Sequence, residues 1–426
     1  MRIYFSGIGG VGIGPLALIA HEAGHSVTGS DRSESLMTRE IADHAISYSL
    51  DQSGEYLRRT HETETIDWFV HTSALPADHP ELMLARELGI KTAKRDELLA
   101  HIIGEKNLKL IAIAGTHGKT TTTGMMVWIL KQLGIPVSYS IGTTLSWGPS
   151  GHFDPASDYF VYECDEFDRN FLHFSPERAI ITSIEHDHVD TYPTEAEYFA
   201  AFCQFITQSH RSVVWQQDLP AEFMQNSSSD VQIIDKTADE TQQQLAHIPL
   251  AGQHNRENAY LVLADCLRSG LDQEKVVAAL ASFPGTNRRF EKLADGLYSD
   301  YGHHPAEIKA TLQMASEISD NVVLVYQPHQ NIRQHDIRHE YTDALFADAA
   351  EVFWLPTYLS RENPDLALLS PEELTTQLST TQVHNADTNQ ALWQQIEAKR
   401  QADALVLCMG AGTIDGWLRE QLTPPR

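Results

Sequence analysis

The chain has 426 residues and carries 58 Asp and Glu against 31 Lys and Arg, a formal net charge of −27. That excess of negative charge argues strongly against a nucleic-acid backbone or an anionic membrane as partner. The length passes the roughly 250–300 residues at which single cores stop growing, so two or three domains are expected. Four widely spaced cysteines, Cys164, Cys203, Cys266 and Cys408, exclude a zinc knuckle and point to a reducing, cytoplasmic setting rather than a disulfide framework. Glycines and His21-Glu22 interrupt what would be the apolar run of a leader. No stretch reaches the roughly 18 apolar residues of a membrane span, so no membrane insertion is expected.

In chain order, Ile3 to Phe5 reads as a strand. Gly7-Ile8-Gly9-Gly10-Val11-Gly12 follows, then a helix through Ala23. A second strand from Ser26 to Thr28 ends at Gly29-Ser30-Asp31. This is a Rossmann-like βαβ opening with an acidic residue at the spacing that suits a ribose, although its glycine pattern is GxGGxG rather than GxGxxG. A further strand, Trp68-Phe69-Val70, ends in His71-Thr72-Ser73-Ala74-Leu75-Pro76. Polar residues at a strand's carboxyl end are where doubly wound sheets bind ligands.

The segment Leu108 to Thr123, LKLIAIAGTHGKTTTT, carries the most information. Leu110, Ile111 and Ile113 read as a buried parallel strand. The strand breaks into a short P-loop variant, Gly115-Thr116-His117-Gly118-Lys119-Thr120-Thr121, in which Ile113 stands where the strict pattern has glycine. Backbone N–H groups of such a turn face an anion, Lys119 suits the outer phosphates and the Thr120 hydroxyl suits Mg²⁺. The apolar run from Met125 to Leu130, closed by Gly134 and Pro136, is the helix that leaves a P-loop.

This second domain runs to about Gly285, with strands at Tyr159–Glu163 and Ala179–Ile184, and surface loops at Gln225–Asp230 and Ala238–Gln244. Pro284-Gly285 marks the boundary to a third domain with strands at Val322–Tyr326, Val352–Leu355 and Ala404–Cys408, the last followed by Gly410-Ala411-Gly412-Thr413. Three successive α/β units with parallel strands are the simplest reading. The expected domains are residues 1–106, 107–285 and 286–426.

Several polar clusters sit at strand ends. Glu163, Asp165, Glu166 and Asp168 either surround a divalent cation or form a solvated acidic loop. Glu185-His186-Asp187-His188 is a second cluster; imidazole beside carboxylates suits zinc more often than Mg²⁺ or Mn²⁺ but does not exclude them. His254, Asn255 and Asn258 open a helix, where amides would read an adenine edge or Asn255 would simply cap the helix. Arg288-Arg289 places two cations after the Pro-Gly hinge, either solvated or facing phosphate. Asp300-Tyr301-Gly302-His303-His304 and Gln327-Pro328-His329-Gln330-Asn331-Ile332-Arg333 are further candidate ligand-facing edges.

Taken together, SGIGGVG, HTSALP, GTHGKTTTT, ECDEFD, SIEHDHVDTY, GQHNRENA, RRF, SDYGHHP and MGAG occur in the order found in the ATP-dependent Mur ligases of peptidoglycan synthesis, and the chain resembles that family over essentially its whole length. Its likeness is greatest to the alanine-adding branch. The resemblance implies a Rossmann-like N-terminal domain for a UDP-sugar, a central P-loop ATPase-type parallel-sheet domain, and a C-terminal Rossmann-like domain that closes over nucleotide and amino acid. It implies ATP with Mg²⁺, or Mn²⁺ in its place, and UDP-N-acetylmuramate and L-alanine as substrates, coupled through an acyl phosphate. A related activity, with a different amino acid or a recycled peptide, is the alternative. A monomer or weak homodimer is expected.

By position in the family's motifs, Lys119 is implied at the β/γ-phosphates, with Thr120, Glu163 and His188 around the metal. Gly115, Thr116, His117, Gly118 and Thr121 complete the P-loop, and His254, Asn255, Asn258 and Arg289 are implied on the nucleotide. Asp300 falls near it, and Tyr301, His303 and Arg333 at the amino acid, with Lys119, Asp300 and His303 as the catalytic candidates. Gly7, Gly9, Gly10, Asp31, His71 and Ser73 are implied at the UDP-sugar. Two further points bear on the resemblance. Gln330 stands where the alanine-adding branch usually has arginine, and no lysine lies between Val189 and Ile206, where sister ligases place a carbamoylated one.

Overall fold

The computed structural model describes residues 1–10, 12–72, 75–188, 191–221, 223, 230–360 and 362–423. Two compact units emerge: Met1–Ile248 with Asn258–Pro284, and Pro249–Glu257 with Gly285–Arg426.

The first unit contains two sheets. One comprises β1 (Arg2–Ser6), β2 (Ser26–Ser30), β3 (Ser47–Ser49), β4 (Trp68–His71) and β5 (Lys91–Lys94) in the order β3-β2-β1-β4-β5, with every pairing parallel. Ile3 and Phe5 pack into the core on one face, while Tyr4 and Phe69 pack with Leu57 and Leu82 on the other. Burial on both faces explains why the central strands β1 and β4 read as apolar runs, Ile3 to Phe5 and Trp68 to Val70. The order reverses between β1 and β4, so the glycine loop after β1 and Thr72 after β4 flank a switch point where such sheets bind ligands.

The other sheet holds β6 (Lys109–Ala114), β7 (Ser138–Ser140), β8 (Gly151–His152), β9 (Tyr159–Glu163), β10 (Arg178–Ile181), β11 (Arg211–Trp215) and β12 (Asp230–Ile234), ordered β12-β11-β10-β6-β9-β7-β8. All pairings are parallel except β7 with β8. The P-loop strand β6 lies between β10 and β9, again at a reversal of order.

The second unit carries β13 (Glu291–Ala294), β14 (Leu297–Asp300), β15 (Val322–Tyr326), β16 (Glu351–Trp354), β17 (Val383–Asn385) and β18 (Leu405–Met409), ordered β13-β14-β18-β15-β16-β17. Only β13 and β14 pair antiparallel. Because β18 inserts between β14 and β15, three strand ends converge: Gly410 N donates to Asp300 O (3.0 Å) and Gln327 N to Met409 O (2.9 Å).

Two expectations are corrected. The strand expected over Ala179–Ile184 stops at Ile181, because the chain leaves the sheet to brace the P-loop: Ser183 O accepts from Thr116 N and Ser183 Oγ from His117 N, both at 3.0 Å. The surface loop expected over Ala238–Gln244 is a helix, Asp239–Ala246. Its polar composition hides Thr241 and Leu245, four apart and both buried, and Asp239 and Glu240 favour the N-terminal end. Of the loop expected over Gln225–Asp230, residues 225–229 lie outside the described residues, and Asp230 begins β12.

Candidate active site

The site in the first unit begins with backbone geometry. Gly115 (φ +140°) and Gly118 (φ +81°) hold left-handed conformations, and a Cβ on Gly118 would stand 2.7 Å from Asn258 Nδ2. This turn starts the helix Lys119–Gln132 directly at Lys119, so the helix N-terminus and the lysine ammonium serve one place. Thr116 donates its hydroxyl to Glu185 O (2.8 Å), which ties the loop to the segment after β10. His117 Nε2 lies 3.6 Å from Glu185 Oε2, and Thr121 is half-buried in the first turn of the helix.

Lys119 Nζ donates to Glu166 Oε2 (2.8 Å) and Oε1 (3.1 Å), and also to Gly115 O and Thr116 O. Glu166 is fully buried, and His188 Nε2 sits 3.3 Å from its Oε1. Burial alone would neutralise these groups, but their mutual pairing prevails. Lys119 is held above its ordinary value by Glu166 and Asp165, and His188 above its own mainly by Glu166 and Asp187. Glu166 is held below the carboxylate range by Lys119 and His188. Asp165 moves the other way, raised by burial and by the neighbouring Glu166 charge.

Metal-ligating atoms of Asp165, Glu166 and His188 all lie within 4.8 Å of one another. Beside them, Thr120 Oγ1 donates to Glu163 Oε1 (2.9 Å) and Gly142 N to Glu163 Oε2 (2.9 Å). Thus Thr120 is paired with Glu163, while His188 groups with Asp165 and Glu166. Two of these carboxylates were read from the sequence only as part of an acidic cluster. Oxygen-rich donors around one imidazole fit a hard divalent cation. Lys119, Glu163 and Asp165 line a cavity of about 220 Å³ that Gly12 and Arg95 also line.

At the first sheet, the glycine loop is stapled to itself. Gly7 N and Ile8 N both donate to Ser30 O (2.8 and 2.9 Å), and Gly10 N donates to Gly7 O (3.0 Å). Asp31 is tied into the loop itself, its Oδ2 accepting from Gly9 N and its Oδ1 from Arg32 N, both at 2.7 Å. His71 Nδ1 lies 2.9 Å from Thr72 O, and Ser73 falls outside the described residues. Glu81, wholly buried, accepts from the hydroxyls of Tyr4, Ser6 and Ser30 at 2.6–2.8 Å and so locks the ends of β1 and β2 together.

In the second unit, Asp300 ends β14 and accepts from Phe290 N (2.8 Å) and Gly302 N (2.7 Å), which fixes the turns on either side. Burial lifts it to about 6 despite Arg289 nearby. Tyr301 lies between two guanidinium groups, with Arg288 and Arg289 at 4.6 and 5.1 Å from its ring centre. The His303 ring is 5.4 Å from His329 and its Nδ1 is 3.6 Å from Glu307. Burial lowers His303 against the pull of Glu307, and Arg333 lowers it further; the same burial takes His329 to about 4, with His303 and Arg333 adding to it. His254 is likewise pushed to about 4 by burial, and its Nδ1 has no hydrogen-bond partner among the described residues. Asn255 lies inside the helix Gln253–Arg268 and donates to Ala251 O and Met314 Sδ, both at 3.2 Å, so it does not cap. Asn258, in the same helix, belongs to the first unit, against Gly118.

Three α/β sheets in succession along the chain, the second carrying a P-loop with buried carboxylates and an imidazole beside its lysine, define a three-domain phosphate-handling enzyme of the α/β class. Three family models match the chain: the Mur ligase family catalytic domain over residues 2–107, the Mur ligase middle domain over 113–246 and the Mur ligase glutamate ligase domain over 288–412. The chain belongs to the Mur ligase family. It is 30% identical to the UDP-N-acetylmuramate–L-alanine ligase of Renibacterium salmoninarum, over 97% of this chain and 93% of the relative. With the ligase of the same name from Syntrophomonas wolfei it shares 32% identity, over 82% of this chain and 81% of the relative. In fold it is similar to the UDP-N-acetylmuramate-alanine ligase of Thermotoga maritima, with TM-score 0.75, 23% identity, and 99% and 98% of the two chains covered. It is also similar to a murein peptide ligase of Psychrobacter arcticus, with TM-score 0.64, 22% identity and the same coverage.

Proposed function

We propose that this chain uses ATP to join L-alanine to the lactyl carboxylate of UDP-N-acetylmuramate, in the cytoplasm, as a step of peptidoglycan precursor synthesis. The reading assigns residues 1–106 to the UDP-sugar, 107–285 to ATP and 286–426 to the amino acid. The observation that carries it is the 220 Å³ cavity, in which Lys119, Glu163 and Asp165 of the P-loop sheet face Gly12 and Arg95 of the sheet that bears the glycine loop. A nucleotide-borne acid held by the one is thereby presented to a phosphate held by the other.

A carboxylate attacking a polyphosphate faces charge repulsion, and preorganised cations must offset it before the reaction begins. Lys119 and the N–H groups of the P-loop turn supply fixed positive charge. Lys119 would exchange its bond to Glu166 for a phosphate oxygen. Asp165, Glu166 and His188, with Thr120 and Glu163 beside them, would hold Mg²⁺, which when bound neutralises phosphate oxygens as a Lewis acid. The lactyl carboxylate takes the γ-phosphoryl group and ADP leaves; the alanine amine then attacks the acyl carbon, the amide C–N bond forms and inorganic phosphate departs. His303, kept neutral by burial, is suited to accept the amine's proton, while Arg333 sets its field.

Phosphate release measured with ATP, UDP-N-acetylmuramate and each amino acid in turn tests this reading. Release that requires the nucleotide-sugar and L-alanine together is the expected result, and release with neither would refute it. Gln330 makes the full amino-acid panel necessary, since it adds no positive charge beside Arg333.

A further inference from the structure

The glycine loop after β1 is poorly equipped to hold a diphosphate by itself. Its N–H groups at Gly7, Ile8, Gly9 and Gly10 are all engaged by Ser30 O, Asp31 and Gly7 O. Ile13 N and Gly14 N donate to Gly10 O (3.1 and 2.8 Å), so of the described residues in this loop Gly12 alone has an N–H with no hydrogen bond. One neutral donor does not balance two phosphate charges.

A cavity of about 260 Å³ opens beside this loop, lined by Gly12 and Thr72, by the cations of Lys94 and Arg95, and by the carboxylates of Asp96 and Asp165. Lys94 Nζ is engaged 2.6 Å from Asp168 Oδ2. Arg95 differs. Its Nε donates to Asp96 Oδ1 (3.2 Å) and its Nη2 reaches Asp96 Oδ2 (3.5 Å), which fixes the plane of the guanidinium. Its Nη1 has no hydrogen-bond partner among the described residues and stands where a Cβ on Gly12 would lie 2.9 Å away. Asp96 is itself anchored, because the Tyr162 hydroxyl donates to its Oδ1. Arg95 also lines the neighbouring cavity that holds Lys119, so the guanidinium sits where the two cavities meet.

We propose that Arg95 is the diphosphate-binding cation of the first domain, gripping the nucleotide-sugar against Gly12 with the free side of its guanidinium; the proposal rests on the UDP-sugar reading above. Asp96 and Tyr162 position it. A Cβ on Gly12 would push Nη1 aside from this position.

Calorimetric titration of the full chain with UDP and with uridine tests the proposal. Wild-type protein binds UDP more tightly than uridine; if it binds neither, the UDP-sugar reading itself is wrong. In Arg95→Met, UDP binding weakens about 10- to 100-fold while uridine binding stays within about 2-fold. Arg95→Lys falls between, since it keeps the charge but loses the planar fork. Should Arg95→Met lose ATP affinity as well, Gly12→Ala decides, because its φ is not left-handed and the added methyl acts only on Nη1. UDP affinity unchanged in Gly12→Ala or in a folded Arg95→Met overturns the proposal. So does a loss confined to UDP-N-acetylmuramate with UDP unaffected, which would place Arg95 on the sugar's carboxylate.

Discussion

The two units handle buried charge in opposite ways. Around Lys119, burial is outweighed by pairing: ammonium, carboxylate and imidazole support one another, and Lys119, Glu166 and His188 are all shifted toward their ionised forms. Around Asp300 and His303, burial prevails: Asp300 is lifted to about 6, while His303, His254 and His329 are all driven toward neutrality. The difference follows from what surrounds each group. Glu166 has two cationic partners within 3.3 Å, whereas Asp300 has backbone N–H groups and a guanidinium that helps only through its field. The first arrangement suits a polyanion and a divalent cation, and the second suits moving a proton near neutral pH.

Lys119→Ala attacks the charged site directly. Turnover should fall at least about 10³-fold, as expected where catalysis is mainly electrostatic, while UDP affinity stays within about 3-fold. Activity near wild type in a steady-state assay would remove Lys119 from the phosphate. Next in size, His303→Gln should lower kcat about 10²-fold. In the wild type, the acid limb of the kcat profile should fall below the ordinary histidine range, because burial lowers His303. An acid limb at or above that range would contradict the neutral-imidazole reading.

The pH dependence of stability sharpens the contrast. Folding raises Asp300 to about 6, against about 3.9 for a free aspartate. Its neutral form is therefore favoured in the folded chain. The burial penalty is absent below the free value and grows as pH rises through about 6, reaching roughly 3 kcal/mol. Urea midpoints of wild type and Asp300→Asn, compared at about pH 4 and about pH 7, should diverge by this amount; a pH-independent difference would mean that the carboxyl is solvated. The smallest effect is expected at Arg256, which pairs with Glu317 through two 2.8 Å bonds at a partly exposed site in the second unit. Arg256→Ala should cost about 0.5–1 kcal/mol at neutral pH. Glu317, lowered to about 2 chiefly by that hydrogen-bonded pair, keeps its contribution above the ordinary glutamate range and loses it only as pH falls toward 2. A thermal midpoint unchanged by Arg256→Ala would show the pair to be idle.

The P-loop was legible because backbone demands dictate residue types there: glycine at left-handed positions, lysine at the helix start, apolar residues in a strand buried on both faces. The strands Tyr159–Glu163 and Val322–Tyr326 were legible for the latter reason. Glu166 was not, because nothing in ECDEFD says which carboxylate turns inward, and that is decided by how the segment Phe167–His173 folds back under Tyr192, whose hydroxyl donates to Glu166 O. Asp31 shows the converse. Its spacing suits a ribose, yet in the structure it serves the loop's own Gly9. Arg95 carried no signal at all, since Lys94-Arg95-Asp96-Glu97 reads as an ordinary charged helix start; only the approach of Gly12 gives it meaning.

The central claim is that the Lys119 cavity binds ATP so that an acid carried by a nucleotide-sugar can be activated there. Nucleotide binding in the presence of Mg²⁺, measured by calorimetry on wild type and Lys119→Ala, tests it most directly. Saturable ATP binding by the wild type that the substitution removes, with UDP binding retained, is the expected result. Equal ATP affinity in both proteins, or none in the wild type, would contradict it.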